Sequence, residues 1–240
     1  MMRGLLTKVA KLYFSVLKPG WRRFWFIFRL RVVSALVNAP LELHVGKNLT
    51  LGKNVELSIV GGTKNKLWIG DNVLIDDRVW IQLNGGDVHL GDRTEFRREC
   101  ILKFGGKYRM DTLSGFAQRC VVHNLHDIHI ESYVVITEYT SLVDFNYELE
   151  DQNEADANWY YHGKKVCAPI HIEESVWIAG KCTITKGVTI GRGAMVAANS
   201  LISRDVKPGH LAVGVPARQF PINKGKEAPA KDKNDEKKAS

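Results

Sequence analysis

A period of six residues runs through the second half of the chain. Between Ala168 and Val206 an aliphatic residue recurs at every sixth position: Ile172, Ile178, Ile184, Ile190, Val196 and Ile202. Smaller side chains repeat on the same period two positions earlier: Ile170, Val176, Cys182, Val188, Ala194 and Ser200. This spacing matches neither the period of about 3.6 residues of an α-helix nor the simple alternation of an open sheet. It predicts an all-β solenoid, in which each six-residue unit buries its apolar side by stacking on its neighbours.

The same repeat begins near Leu41 and continues, with interruptions, to Leu142. Its register slips after Ile81, and we expect residues 105–114 to be irregular. Within each unit the two apolar positions point inward, so the residue between them points outward. These outward positions hold three tryptophans and four histidines: Trp68, Trp80, Trp177, His44, His89, His129 and His171. Large aromatic residues on the outside of a solenoid indicate walls that are covered by another subunit or a ligand.

Breaks in the repeat divide the chain into three parts. We expect a basic helical arm over residues 1–40, a β-helix domain over 41–223, and a disordered tail over 224–240 that contains no aromatic residue. Pro208-Gly209 is expected to end the solenoid. Within the domain, residues 144–167 lack the repeat and predict an extruded loop, which in a compact fold is more often functional than idle.

Residues 1–31 contain eight Lys or Arg and no Asp or Glu. They account for the whole formal charge of +8, because the chain has 34 basic and 26 acidic residues. The remaining body is neutral, which argues against nucleic acid as a partner. The four cysteines form no C-x-x-C motif and favour a reducing compartment, so we expect a cytoplasmic protein.

Apolar residues in the arm follow helical spacing over 2–18, up to Pro19-Gly20. A second apolar stripe follows the break: Trp21, Trp25, Phe28 and Val32. The uncharged stretches fall well short of the roughly 20 residues that span a bilayer, and no signal-peptide pattern is present. Two roles fit equally well. In the first, residues 1–37 contact the anionic inner face of a membrane. In the second, the arm caps the open end of the solenoid.

The repeat and two short motifs resemble the hexapeptide-repeat acyltransferases. The motifs are Ser175-Val176-Trp177-Ile178 and Gly214-Val215-Pro216-Ala217-Arg218. Within that group the chain looks most like the sugar and polysaccharide O-acetyltransferases related to maltose and galactoside acetyltransferases. The resemblance implies a left-handed parallel β-helix, an exception to the usual right-handed crossover. It also implies a homotrimer that binds acetyl-CoA between subunits and acetylates a sugar or glycan hydroxyl by general-base catalysis.

The resemblance also assigns site residues by position. Trp177 and Asn146 would bind the acceptor. The residues that would bind acetyl-CoA are Gly180, Ala198, Ser203, Arg204 and Arg218. Small residues let the pantetheine arm approach the backbone, and guanidinium groups suit phosphate oxygens.

The catalytic base of the family is a His at the start of the extruded loop. Here that run reads Asp144-Phe145-Asn146-Tyr147, so Phe145 and Tyr147 occupy the His positions. Because Phe cannot accept a proton, another base must serve or the reaction is lost. His162, in the same loop, is the first candidate, and Asp144 would orient the base or bind a sugar hydroxyl. His123 and His126 are second candidates because they lie on the preceding coil.

Two other functions remain open. The γ-class carbonic anhydrases share this fold and bind zinc through three outward histidines, which invites comparison with His89, His123 and His126. A catalytically degenerate scaffold is the third reading, supported by the missing His motif. If the chain is an acyltransferase, we expect no metal site in it.

Overall fold

A computed structural model describes residues 19–148 and 164–222. Within these residues one helix, α1 (Pro19–Leu36), precedes 25 short strands. The helix predicted over 2–18, the tail over 224–240 and His162 lie outside the described residues.

The strands form three parallel walls that share one core. Wall A contains β1 (Leu41–Val45), β4 (Asn65–Ile69), β7 (Asp87–Leu90), β10 (Lys107–Met110), β13 (Asp127–Ile130), β18 (Ile170–Ile172) and β21 (Thr189–Ile190). Wall B contains β2 (Thr50–Leu51), β5 (Leu74–Ile75), β8 (Glu95–Phe96), β11 (Gly115–Phe116), β14 (Val135–Ile136), β19 (Trp177–Ile178), β22 (Met195–Val196), β24 (His210–Gly214) and β25 (Ala217–Pro221). Wall C contains β3 (Glu56–Ile59), β6 (Trp80–Leu83), β9 (Ile101–Phe104), β12 (Val121–Asn124), β15 (Ser141–Val143), β20 (Thr183–Thr185) and β23 (Leu201–Ile202). A separate antiparallel pair, β16 (Phe145–Tyr147) and β17 (Lys165–Cys167), forms the base of the extruded loop.

Each coil contributes one strand to each wall, and equivalent residues of successive coils pair in parallel register. Ile128, for example, pairs with Ile170 on wall A, and Ile136 pairs with Ile178 on wall B. The inward isoleucines of the six-residue period are fully buried, whereas Trp177 between them points out and is exposed. The prediction of an all-β solenoid of hexapeptide repeats is confirmed.

The prediction that residues 105–114 are irregular is wrong. They include β10, whose Tyr108 and Met110 are completely buried in the core. Tyr108 pairs with Ile128, twenty positions later, whereas His171 pairs with Thr189, eighteen positions later. The earlier coils are longer at the corner between walls C and A, so their sequence slips out of the six-residue phase while the strands stay in register.

The solenoid also continues past Pro208-Gly209, contrary to prediction. Strand β24 pairs in parallel with β22 and buries Ala212 in the core. Strand β25 then turns back along β24 in antiparallel pairing. Wall B is therefore extended by a terminal hairpin.

Helix α1 covers the first coil with one face. Phe26 and Leu30 are buried in the common core. Arg22 Nη1 donates a hydrogen bond to the Leu51 carbonyl at 3.2 Å, and Arg23 Nη2 donates one to the Gly46 carbonyl at 2.9 Å. The helix thus caps the solenoid, which needs its first coil covered.

The opposite face of α1 is apolar and exposed: Trp21, Phe24, Phe28 and Val32. The rings of Phe24 and Phe28 stack on each other with centroids 6.2 Å apart. The described part of the chain contains no helix that combines the length and apolarity needed to cross a bilayer.

Candidate functional site

A cavity of about 800 Å³ lies between the end of β23 and the terminal hairpin. Ser203, Arg204 and Arg218, three of the residues assigned to acetyl-CoA, line it. Ser203 and Arg204 belong to the short turn after β23, and Arg218 lies on β25 opposite Val213. Gln219 fixes this arrangement, because its Nε2 donates to the Asp205 carbonyl at 2.5 Å and its Oε1 accepts from the Lys207 N–H at 2.9 Å.

Gly180 and Ala198 occupy consecutive turns at the corner between walls B and C. The Asn199 N–H donates to the Gly180 carbonyl at 3.0 Å, which stacks one turn on the other. A Cβ on Gly180 would lie 3.3 Å from the Glu138 carbonyl oxygen, so a small residue suits this corner. Neither residue lines the cavity. The predicted donor residues therefore fall into two groups, one along this corner and one around the cavity.

The two residues assigned to the acceptor lie on different sides of the β-helix. Trp177 stands on wall B between Val135 and Met195 and is 43% exposed. Asn146 lies on β16, at the base of the extruded loop, where it is exposed and pairs with Val166. The structure does not bring these residues together within one chain.

Asp144, which the sequence predicts to orient the base or to bind a sugar hydroxyl, does not lie on the surface of the loop. Its side chain is completely buried. Its Oδ1 accepts a hydrogen bond from the Leu125 N–H at 2.8 Å, and its Oδ2 accepts from the His126 N–H and from Asn124 Nδ2, each at 2.8 Å. Direct binding of a sugar hydroxyl is therefore excluded, because both carboxylate oxygens are occupied and out of solvent. Asp144 instead fixes the turn that follows β12.

His123 lies on β12 beside this turn and is half-buried. The ring of Phe145 meets its imidazole edge to face, with the centroids 4.6 Å apart. Burial lowers the pKa of His123 below its usual value, and the charge of Lys103 lowers it further. Asp144 opposes this effect, and the charge of Lys165 reinforces it. The lowered pKa of His123 favours the neutral form of its imidazole, which a general base requires.

Sequence reasoning named His123 only as a second candidate and missed its neighbours. Lys103 follows an inward leucine on β9 and pairs in register with His123. Its Nζ lies 5.3 Å from the centroid of the Trp80 ring. Lys165 on β17 places its Nζ 5.9 Å from the Phe145 centroid. The outward position of Lys103 in the six-residue period was a usable signal, but the register across coils was needed to bring it to His123.

The three histidines compared with a zinc site do not share a wall. His89 lies on wall A, His123 lies on wall C, and His126 is exposed in the turn between them. Across residues 19–148 and 164–222, no group of three or more His, Cys, Asp or Glu is arranged to hold a metal ion.

Comparison with known families and sequences identifies the repeat. Residues 169–204 match the family described as bacterial transferase hexapeptide (six repeats). The chain is 21% identical over 196 residues to a probable acetyltransferase of Mycobacterium tuberculosis, covering 82% of this chain and 55% of that protein. It is 39% identical over 62 residues to a putative acetyltransferase of Staphylococcus aureus, covering 25% of this chain and 31% of that protein. The chain thus spans about half the length of the mycobacterial relative and about a third of the staphylococcal one.

Among solved structures, the chain resembles AntD, an N-acyltransferase from Bacillus cereus crystallised with dTDP-4-amino-4,6-dideoxyglucose and coenzyme A. The TM-score is 0.54 at 18% identity, over 77% of this chain and 86% of AntD. A second AntD structure, with dTDP and 3-hydroxybutyryl-CoA, gives a TM-score of 0.51 at 19% identity, over 76% of this chain and 84% of AntD. At this identity the likeness establishes the fold. The predicted resemblance to hexapeptide-repeat acyltransferases is confirmed.

Proposed function

We propose that the chain is an acyltransferase that moves the acetyl group of acetyl-CoA to a hydroxyl of a sugar or glycan. The relatives named acetyltransferases and the coenzyme A bound to AntD support this reaction class. The observation that carries the proposal is the cavity lined by Ser203, Arg204 and Arg218. Its two guanidinium groups suit the nucleotide phosphates of a coenzyme A molecule, and the corner at Gly180 and Ala198 suits its extended pantetheine arm.

The active unit we propose is a homotrimer. The acceptor residues Trp177 and Asn146 lie on different sides of one chain, so a pocket containing both needs two copies. Exposed apolar residues on and beside wall B favour this association: Leu113, Tyr133, Val135 and Tyr139. One copy would then supply the donor corner and its neighbour the extruded loop.

His123 is the base that the described residues offer to the acceptor. Its neutral imidazole would take the hydroxyl proton, and the acceptor oxygen would attack the thioester carbonyl carbon. The new C–O bond forms as the C–S bond breaks, and the coenzyme A thiolate leaves and takes up a proton. His162, which lies outside the described residues, stays the base predicted from the sequence. The two assignments are separated by comparing His123→Gln with His162→Gln.

We also propose a peripheral contact with the cytoplasmic face of a membrane, which would bring the enzyme to a lipid-linked or cell-surface glycan. The exposed stripe of Trp21, Phe24, Phe28 and Val32 and the basic residues of 1–31 support this contact. Aromatic residues beside cations are typical of helices that lie on anionic bilayers.

The reaction is tested by release of free thiol from acetyl-CoA, followed with a chromogenic disulfide in the presence of sugar acceptors. Calorimetric titration with coenzyme A tests donor binding without an acceptor. A scaffold with no enzymatic role would bind no coenzyme A, and a zinc enzyme would purify with stoichiometric metal. Either result, without thiol release, would overturn the proposed function.

A further inference from the structure

We propose that the acceptor carries an anionic group, a phosphate or a carboxylate, and that Lys103 and Lys165 bind this group beside His123. The inference rests on the proposed function and adds the chemical class of its acceptor. We call the group of side chains around this imidazole the His123 patch: Trp80, Lys103, His123, the buried Phe145 and Lys165.

The two lysines reach His123 from different elements. Lys103 lies on β9, the strand next to β12, in direct register with His123. Lys165 lies on β17, the outer strand of the loop base, whose partner strand carries Phe145. Since the Phe145 ring packs on His123, the ammonium group held near that ring is also held near the imidazole. The positive charges of Lys103 and Lys165 both lower the pKa of His123, in keeping with this placement.

Aromatic rings hold both ammonium groups in place. Lys103 Nζ lies 5.3 Å from the centroid of Trp80. Lys165 Nζ lies 5.9 Å from the centroid of Phe145 and 5.7 Å from that of Tyr147. Cation–π contacts of this length orient a lysine without neutralising its charge. Both ammonium groups therefore remain able to bind an anion.

No carboxylate within the described residues forms an ion pair with Lys103 or Lys165. Wall A provides the contrast, because Lys66 pairs with Asp87 at 3.8 Å and Lys107 pairs with Asp127 at 3.9 Å. Asp144 is an acid whose charge acts on His123, but its oxygens are buried and already accept three hydrogen bonds. The patch is thus positive around a neutral base.

This arrangement favours a charged acceptor over a neutral one. Charge-assisted hydrogen bonds from an ammonium to a phosphate or carboxylate are about twice as strong as neutral ones, whereas a neutral sugar gains little from these lysines. The same positive charges add to burial, the larger cause, in lowering the pKa of His123. A phosphate would belong to a nucleotide-activated or lipid-phosphate sugar, and a carboxylate to an acidic glycan.

The test compares three acceptors and four proteins. The acceptors are a nucleotide-diphosphate sugar, an oligosaccharide that contains a uronic acid, and its neutral counterpart. The proteins are the wild type, Lys103→Gln, Lys165→Gln and the control Lys47→Gln, which removes one exposed charge from a corner of the first coil. We expect each patch variant to raise KM for a charged acceptor about tenfold, roughly 1.4 kcal/mol of binding, with kcat within about twofold. The neutral acceptor and Lys47→Gln should show no change, and the charged acceptor with the lower KM identifies the source of the anion.

A second measurement does not depend on turnover. Titration of the wild type with inorganic phosphate, followed by NMR of the His123 ring, should shift its resonances, and both patch variants should weaken that shift. Transfer with equal KM for charged and neutral acceptors, or KM values unchanged in both variants, would overturn the inference and leave the acyltransferase proposal standing. Absence of transfer and of coenzyme A binding would overturn the proposed function, and the phosphate titration would still decide whether the patch binds anions.

Discussion

The imidazole of His123 is covered by the ring of Phe145, edge to face at a centroid separation of 4.6 Å. Phe145 stands at the position where the sequence resemblance predicts a catalytic His. The ring that occupies this position therefore helps to bury the imidazole of His123, and burial is the largest cause of the lowered pKa of His123.

Phe145→Ala should raise the pKa of His123 toward the ordinary value of about 6.5. Removing the ring exposes the imidazole to water, which solvates its charged form. The pKa is read from the pH titration of the His123 ring protons by NMR. Because the lysines remain, we expect the pKa to stay slightly below that of an isolated histidine.

Phe220→Ala is the matched control for this measurement. Phe220 lies on β25, is half-exposed and is absent from the surroundings of His123. Its removal should leave the His123 titration unchanged. An unchanged pKa in Phe145→Ala itself would show that burial by this ring is not the cause.

Asp144→Asn should destabilise the fold by about 1–3 kcal/mol, the usual result of leaving a buried partner unsatisfied. An asparagine amide presents N–H groups to a site where three N–H donors already converge. The loss is measured by urea unfolding followed by far-UV circular dichroism.

Asp127→Asn provides the comparison for Asp144. Asp127 forms a surface pair with Lys107 at 3.9 Å, and such pairs contribute about 0–1 kcal/mol. If Asp144→Asn kept full stability but lost acetyl transfer, a direct catalytic role for Asp144 would replace the structural one.

Asp144 also marks the limit of what the sequence could predict. The six-residue period placed Ile172 and its equivalents in the core and Trp177 outside, because inward and outward positions alternate along each strand. The same rule could not recognise Tyr108 as an inward residue, since the longer corners shift the phase of the repeat. Asp144 looked like the first residue of a loop, but its burial depends on the N–H groups of the coil below. Contacts between coils depend on register, which a single sequence does not specify.

Arg218→Gln and Arg204→Gln should each weaken coenzyme A binding about tenfold, because each removes one charge-assisted contact with a phosphate. Both side chains line the C-terminal cavity. Calorimetric titration with coenzyme A measures the effect. Binding of dephospho-coenzyme A, which lacks the ribose phosphate, should be affected less by whichever arginine contacts that phosphate.

Arg93→Gln controls for a general loss of positive charge. Arg93 lies at a corner between walls A and B, in an earlier coil than Gly180 and the other residues assigned to acetyl-CoA. It does not line the cavity. The affinity of the Arg93→Gln variant for coenzyme A should equal that of the wild type. If Arg204→Gln and Arg218→Gln bound coenzyme A as tightly as the wild type and Arg93→Gln do, the cavity would not be part of the donor site.

The two faces of α1 should separate stability from membrane binding. Leu30 lies on the buried face of α1 and is completely buried, so Leu30→Ala should reduce the free energy of unfolding by about 2–5 kcal/mol and lower Tm.

The double variant Phe24→Ser/Phe28→Ser alters only the exposed stripe of α1 and should keep its Tm. It should lose tenfold or more in affinity for anionic vesicles, since burial of one aromatic side chain contributes about 1.5–3 kcal/mol. Cosedimentation with vesicles of phosphatidylglycerol and phosphatidylcholine measures this affinity, and purely zwitterionic vesicles should bind neither protein. Undiminished sedimentation of the double variant with anionic vesicles would show that the stripe is not the membrane contact.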